Sequence, residues 1–198
     1  MITYIRIPKN ASTSLYEFFG EMNVIKDEHF DANNDKYLNF FYPSHCTLTD
    51  AVEVIGEDIL KNPIFAVVRN PYDRLVSMFF FAKKYNLGSI YDVATEEFDT
   101  FAEEFYKLSL DPNFFHAWSQ KKFISHGGCE VSIGRFENLE EDVESFINNN
   151  NIEELDINQF PKLNSTTHNN YREYYSDKSK EIVQRMWGED LDCFSYSF

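Results

Sequence analysis

The chain has 198 residues, 43% of them hydrophobic and 17% aromatic, which predicts one globular domain over residues 1–198 and excludes a long disordered chain. The net charge is −15, from 18 Lys and Arg residues against 33 Asp and Glu residues, so the protein repels nucleic acids and anionic membranes, and neither is expected as a partner. The three cysteines, at positions 46, 129 and 193, have the spacing of neither a disulfide framework nor a zinc site, and we expect no bound metal.

Four segments of the chain have the composition of β-strands. Pro63–Arg69 is a continuous apolar run, which is typical of a strand covered on both faces. Tyr37–Tyr42 is rich in the aromatic residues that favour strands, and Glu130–Gly134 is the weakest of the four. In chain order the predicted strands are Ile2–Ile7, Tyr37–Tyr42, Pro63–Arg69 and Glu130–Gly134.

Predicted helices lie between and after these strands. The first is expected to end before Gly20, a residue that favours helix C-termini, and Asn70 followed by Pro71 has the pattern of an N-cap and a first helical residue. Strands that alternate with helices predict an α/β fold with a mainly parallel sheet flanked by helices, in which ligands bind beyond the carboxyl ends of the strands. The predicted helices are Ser12–Phe19, Thr49–Ile55, Asn70–Tyr85, Phe98–Leu108, Asn113–Ile124, Asn138–Ile147 and Ser176–Trp187.

The first predicted strand is followed by a short polar loop, PKNASTSL at Pro8–Leu15. A tight loop leading into a helix offers backbone N–H groups and the positive end of the helix dipole, which suit a phosphate or a sulfate. Lys9 adds a positive charge, and the small side chain of Ala11 lets the backbone approach a ligand. The hydroxyls of Ser12–Ser14 add further donors. A serine or threonine helix cap beside a solvated lysine is the alternative interpretation, and the GxxxxGK[ST] pattern of a P-loop is absent.

The second strand end of interest is VVRNPYDRLVSMFF at Val67–Phe80, where Arg69 follows a buried strand and precedes a helix. A guanidinium at this edge of the sheet can bind a phosphate through two parallel hydrogen bonds. Arg74 and Ser77 are three residues apart and share a helix face. Taken alone, the segment slightly favours an ordinary helix start, with Asp73 and Arg74 as solvated charges and Ser77 packed against a neighbour.

Together these two segments resemble the sulfotransferase superfamily, in particular the Golgi-type carbohydrate sulfotransferases and their bacterial and viral relatives. SHCTL at Ser44–Leu48 is similar to the family segment that carries the catalytic histidine. HAWSQKKFI at His116–Ile124 resembles a His-x-x-x-Gln helix, and GRFENLEEDVESF at Gly134–Phe146 resembles a late strand-to-helix turn. The segment from Leu163 to the C-terminus resembles the last loop and helix of these domains, so the similarity touches most of the chain in the expected order.

The resemblance implies a P-loop NTPase-like three-layer fold and an enzyme that uses 3′-phosphoadenylyl sulfate (PAPS) as its sulfuryl donor. The first loop would bind the 5′-phosphosulfate, while Arg69 and Ser77 would bind the 3′-phosphate. Lys9 would stabilise the charge that develops on the leaving phosphate. The residues implied to contact the donor are Lys9, Asn10, Ala11, Ser12, Thr13, Ser14, Arg69, Ser77, Ser165 and Thr166.

His45 is the candidate general base, because the resemblance places it at the catalytic position and histidine, with an ordinary pKa of about 6.5, is largely neutral at pH 7. Cys46 beside it offers a thiol nucleophile as an alternative, although adjacent residues of an extended chain point to opposite sides. His116 is a candidate for contact with the acceptor, with simple packing as the other interpretation.

The sequence therefore predicts a sulfotransferase that acts on a hydroxyl of a small-molecule or glycan acceptor, without a metal. A nucleotide kinase of the P-loop type is one alternative, but the apolar strand ends in Arg69 and not in the aspartate that such a kinase uses to hold Mg²⁺. A nucleotide- or glycan-binding module without activity is the other, and the presence of Lys9 and His45 argues against it. No targeting segment and no run of about 18 apolar residues occurs, so a cytoplasmic location is expected.

Overall fold

The structure is a computed structural model that describes residues 1–26, 29, 45–85, 97–161 and 168–198. The predicted strand Tyr37–Tyr42 lies outside these residues. The chain divides into two compact units. The first comprises Met1–Val68 and Lys122–Ser165, and the second comprises Arg69–Lys121 and Thr166–Phe198.

The first unit is built on a parallel sheet of three strands, β1 (Thr3–Ile5), β2 (Ile64–Val68) and β3 (Ser132–Arg135), in the order β1-β2-β3. Ile5 is paired with Ala66 of β2, and Val68 is paired with Arg135 of β3. Every residue of β2 is buried, as its continuous apolar sequence predicts for a central strand. The three observed strands confirm the predicted ones, each with somewhat different bounds.

Seven α-helices occur among the described residues, and six of the seven predictions agree with them within two residues at the N-terminal end. The last helix continues to Cys193, beyond the predicted end at Trp187, where the backbone departs from helical geometry (φ −132°, ψ 27°). None of the helices in the described part of the chain is long and apolar enough to span a bilayer. The helices are α1 (Ser12–Phe19), α2 (Leu48–Ile55), α3 (Pro71–Tyr85), α4 (Phe98–Ser109), α5 (Gln120–Ile124), α6 (Leu139–Asn149) and α7 (Asp177–Cys193).

The prediction of one helix over Asn113–Ile124 is wrong. A short 3₁₀ turn covers Phe115–Ala117, Trp118 is extended, and α5 begins only at Gln120. The physical cause is that side chains distant in sequence bind the carbonyl groups that a continuous helix would use. Arg74 donates to the carbonyls of His116 and Trp118, and the indole N–H of Trp187 donates to that of Ala117. These tertiary contacts override the local helical preference.

The core of the first unit lies between one face of the sheet and two helices. Phe65 of β2 stacks on Phe146 of α6 with ring centres 4.4 Å apart, and it meets Phe19 of α1 edge-on. A Cβ atom at Gly134 of β3 would lie 2.8 Å from the Phe65 ring, so only glycine fits beside this aromatic cluster. The sheet is thus held against α1 and α6, which confirms the α/β prediction and fixes the loop between β1 and α1.

The second unit has a core of its own, made by α3, α4 and α7. Its buried side chains are largely aromatic, and Trp187 of α7, completely buried, packs edge-on against Phe105 of α4. Tyr72, in the first turn of α3, packs against Tyr175 and Phe198. This packing fixes the N-terminal end of α3, where the second candidate motif lies.

Candidate functional site

The loop between β1 and α1 has a strained backbone. Lys9 and Ala11 have positive φ angles of 68° and 56°, and Asn10 lies between them. The left-handed conformation costs a residue with a side chain about 1–2 kcal/mol, and such residues concentrate at functional sites. Backbone that alternates between the two hands forms concave groups of N–H donors that bind anions. The loop therefore has the backbone features of an anion site.

The N-terminus of α1 adds donors to this loop. Its N-cap residue is Ala11, which has no side-chain oxygen to accept from the first-turn N–H groups. The alternative of a serine or threonine cap is therefore excluded at this position. The hydroxyl residues Ser12 and Ser14 are buried, while Lys9 and Thr13 are half-buried. A helix start without a side-chain cap suits an anionic ligand.

Asn10 anchors the loop to the sheet. Its side chain is completely buried, and its amide nitrogen donates to the carbonyl of Val67 at 2.7 Å. This bond fastens the loop to β2. In the structure, Asn10 holds the Lys9–Ala11 loop in position through this bond.

His45 lies against the same connection between β1 and α1. The side chain is 5% exposed, and its Nδ1 lies 2.6 Å from the carbonyl oxygen of Arg6. A carbonyl oxygen only accepts hydrogen bonds, so Nδ1 carries the proton and Nε2 of the neutral ring carries the lone pair. The hydrogen bond thus places the candidate base against Arg6, which precedes Lys9 by three residues in the chain. It also leaves Nε2 as the basic nitrogen of the neutral ring.

The course of the chain after His45 is fixed because α2 begins three residues later, at Leu48, with Thr47 as its N-cap. Thr47 and Asp50 form a reciprocal capping box, in which the Thr47 hydroxyl accepts from the Asp50 N–H at 3.0 Å. The Asp50 carboxylate accepts from the Thr47 N–H at 3.2 Å. Cys46, between the base and the cap, is 1% exposed, which is unfavourable for a thiol nucleophile.

Two positively charged side chains, Arg6 and Lys9, lie between β1 and α1, although the net charge of the protein is −15. Arg6 is 4% exposed, and its guanidinium carbon lies 4.5 Å from the centre of the Tyr16 ring, a cation–π contact that holds it in place. Lys9 follows three residues later. Together they supply the local positive charge that an anionic ligand requires against the field of the whole chain.

Arg69, in the second unit, is nearly buried and ion-paired. Its Nε donates to Asp73 at 2.7 Å, one turn along α3, and its Nη2 lies 3.4 Å from Nε2 of His168. The sequence allowed Asp73 to be a solvated charge, but this carboxylate is only 16% exposed. The ion pair fixes the plane of the guanidinium, as a bidentate phosphate contact requires.

The start of α3 follows the predicted capping pattern. Asn70 accepts from the N–H of Tyr72 at 3.0 Å, and its amide group donates to the Tyr171 hydroxyl and to the carbonyl of Ser197. Ser77, eight residues after Arg69 in the chain, lies on α3 and is 2% exposed. The helix that follows Arg69 and carries Ser77 is therefore fixed at its first turn.

His116 and Arg74 have roles that the sequence left open. His116 is half-buried, with its ring 4.0 Å from that of Phe115, and its carbonyl accepts from Arg74. Arg74 is completely buried, with its guanidinium 4.9 Å from the Trp187 ring. Arg74 is therefore a structural residue of the second unit, and the structure shows His116 in aromatic packing.

The residues that hold Arg69 through its main chain were not predicted from the sequence. The side-chain amide of Gln120 accepts from the Arg69 N–H at 2.8 Å and donates to the Arg69 carbonyl at 2.9 Å. Asp190 accepts from the main-chain N–H groups of Gln120 and Lys121. Only the His-x-x-x-Gln resemblance could have singled out Gln120, and no local signal marks Asp190.

Two of the predicted donor-contacting residues, Ser165 and Thr166, lie outside the described residues. Within the part of the chain that the structure describes, no group of three or more His, Cys, Asp or Glu side chains has the arrangement of a metal site. The described site residues are thus the loop and His45 in the first unit, and Arg69 with its neighbours in the second.

Comparison with known proteins agrees with these features. Neither the curated proteins nor the solved structures include a match to the chain. The model of the sulfotransferase family matches residues 1–197, which is nearly the whole chain. The parallel α/β sheet is consistent with the P-loop-like fold of that family, and family membership implies a transferase that moves a sulfuryl group. The chain belongs to the sulfotransferase family.

Proposed function

We propose that the protein transfers a sulfuryl group from PAPS to a hydroxyl group of a neutral carbohydrate, by in-line displacement, with His45 as the general base. The observation that carries this proposal is the hydrogen bond between Nδ1 of His45 and the Arg6 carbonyl. It holds the ring of a buried histidine, with the proton on Nδ1, against the strand end from which the strained loop of Lys9 and Ala11 begins.

PAPS supplies a sulfuryl group attached to a nucleotide phosphate, which leaves with an additional negative charge. The fit of the chain to such a donor rests on the loop at Lys9–Ala11, whose strained backbone and uncapped helix start favour anions. Ser12, Thr13 and Ser14 add hydroxyl donors. These groups hold the 5′-phosphosulfate, and Arg69 with Ser77 holds the 3′-phosphate.

His45 and Lys9 divide the chemical work between them. Nε2 of His45 takes the proton from the acceptor hydroxyl as the acceptor oxygen bonds to sulfur. Lys9 stabilises the charge that appears on the phosphate oxygen as its bond to sulfur breaks. The products are the sulfated acceptor, 3′-phosphoadenosine 5′-phosphate (PAP) and a proton on His45, which solvent then removes.

The acceptor is proposed from charge. A protein with a net charge of −15 repels a densely anionic polymer, whereas an uncharged sugar hydroxyl meets no such barrier. His116, half-buried beside Phe115, is the proposed contact for this sugar, because aromatic and imidazole rings pack on the apolar faces of sugars.

The first test compares two nucleotides by thermal unfolding. A ligand that binds only the folded state stabilises it by about 2.7 kcal/mol at 100 times its Kd. We expect PAP to raise the Tm more than ATP with Mg²⁺ does, at equal concentrations. A larger shift with ATP and Mg²⁺ would favour the kinase, and equal or absent shifts would contradict the proposal.

A further inference from the structure

The main-chain N–H and carbonyl groups of Arg69 are both hydrogen-bonded to one side chain, as a neighbouring strand would bond them in a sheet. The strand β2 ends at Val68, and the next residue exchanges two hydrogen bonds with the side chain of Gln120. The Arg69 N–H donates to Oε1 at 2.8 Å, and Nε2 donates to the Arg69 carbonyl at 2.9 Å. A carboxamide side chain presents both donor and acceptor groups, as a peptide group does, so Gln120 satisfies both main-chain groups of Arg69.

Gln120 is held in turn by the carboxylate of Asp190. Oδ2 accepts from the Gln120 N–H at 2.7 Å, and Oδ1 accepts from the Lys121 N–H at 2.9 Å. Both side chains are completely buried. Burial raises the pKa of the Asp190 carboxyl, and the two N–H bonds and the positive charge of Arg74 act in the opposite direction. A buried acid is costly to retain, and here its oxygens are directed at the residue that holds Arg69.

Arg74 ties the same segment to α3. Its two terminal nitrogens donate to the carbonyls of Trp118 and His116, at 3.0 Å and 3.2 Å. The segment before Gln120 is therefore fixed by a residue five positions after Arg69, and Gln120 itself is fixed by Asp190. Each connection joins residues at least 42 positions apart in the chain.

We propose that Asp190, acting through Gln120, is a positioning residue for Arg69 and that it determines the preference of the site for a nucleotide with a 3′-phosphate. This inference rests on the proposed function, in which Arg69 binds that phosphate. Asp73 fixes the guanidinium end of Arg69 at Nε, and Gln120 fixes the main-chain end. An arginine held at both ends loses little conformational freedom when it binds a phosphate, so its contact is stronger and more selective.

A purely structural role for the same contacts gives a different expectation. If Asp190 only stabilised the fold, its loss would lower the Tm and weaken the binding of all nucleotides by the same factor, because only the folded fraction binds. If Asp190 positions Arg69, its loss weakens PAP much more than AMP, which has no 3′-phosphate. The ratio of the two Kd values is therefore a readout that partial unfolding does not change.

The experiment measures Kd for PAP and for AMP by calorimetry in the whole chain and in three variants. Asp190→Asn keeps the shape of the side chain but places an NH₂ group against a main-chain N–H, and Gln120→Met removes both bonds to Arg69. Asp99→Asn is the matched control, because Asp99 of α4 is also a carboxylate that accepts hydrogen bonds, from Ser179 of α7 and from Ser176, its N-cap. Added salt is kept constant, since phosphate contacts weaken with ionic strength.

We expect the preference for PAP over AMP to fall at least about tenfold in Asp190→Asn and in Gln120→Met, with the Kd for AMP nearly unchanged, and to stay at the wild-type value in Asp99→Asn. An unchanged preference in either variant, with wild type still preferring PAP, would overturn the positioning role and leave the proposed function intact. A wild-type protein without any preference for PAP would overturn the proposed function itself.

Discussion

Replacing His45 by asparagine is expected to lower kcat by a factor of about 10²–10⁴, the usual contribution of a general base, while the Kd for PAP changes by less than about twofold. The amide nitrogen of asparagine can keep the hydrogen bond to the Arg6 carbonyl that Nδ1 makes at 2.6 Å. The variant has no basic nitrogen in place of Nε2. The loss of turnover therefore reports the missing base and not the missing contact.

The control for this prediction is His126→Ala. His126 belongs to the same unit, is half-buried, and contacts the Thr49 hydroxyl at 3.0 Å. Its removal is expected to leave kcat and the Kd for PAP unchanged. A His45→Asn variant with nearly normal turnover, or with a large loss of PAP affinity alone, would show that His45 is not the base.

The second large effect is expected for Lys9→Met, which keeps the length of the side chain and removes its charge. Turnover should fall by about 10²–10³, the range found when one stabilising group for a developing negative charge is removed. The effect on kcat should exceed the effect on the KM for PAPS, because the charge of the leaving phosphate increases only as the bond to sulfur breaks.

Lys61→Met is the matched control for Lys9→Met. Lys61 belongs to the same unit, is exposed, and makes a surface ion pair with Asp58, a type of contact that contributes about 0–1 kcal/mol. We expect it to keep wild-type kinetics. If Lys9→Met raised the KM for PAPS and left kcat unchanged, Lys9 would be a binding residue only, and the leaving phosphate would need another source of stabilisation.

The fold could be predicted wherever a local pattern determines it. The start of α3 follows from Asn70 and Pro71, and the end of α1 from Gly20, because capping depends on a few adjacent residues. The apolar run of β2 likewise predicts a buried central strand. The segment Asn113–Ile124 could not be predicted, because its carbonyls are bound by Arg74 and Trp187, and no local pattern contains those contacts.

The candidate site also combines features that a local sequence pattern predicts with features that depend on residues distant in the chain. Lys9 and Arg69 stand out in the sequence because each follows a strand and precedes a helix, and this placement depends on local structure. The tautomer of His45 depends on the Arg6 carbonyl, 39 residues earlier in the chain. The pairing of Gln120 with Arg69 spans 51 residues and that with Asp190 spans 70, so both required the folded structure.

The central claim is that this sulfotransferase takes its sulfuryl group from PAPS, and the most direct measurement is a transfer assay with two labelled donors. The wild-type chain is incubated with PAPS labelled in its sulfate, or with ATP labelled in its terminal phosphate and Mg²⁺, and with a panel of neutral saccharides. We expect label from PAPS to enter a saccharide, with PAP released in equal amount, and no label to be transferred from ATP. Transfer from ATP, or no transfer from PAPS to any saccharide in the panel, would contradict the account.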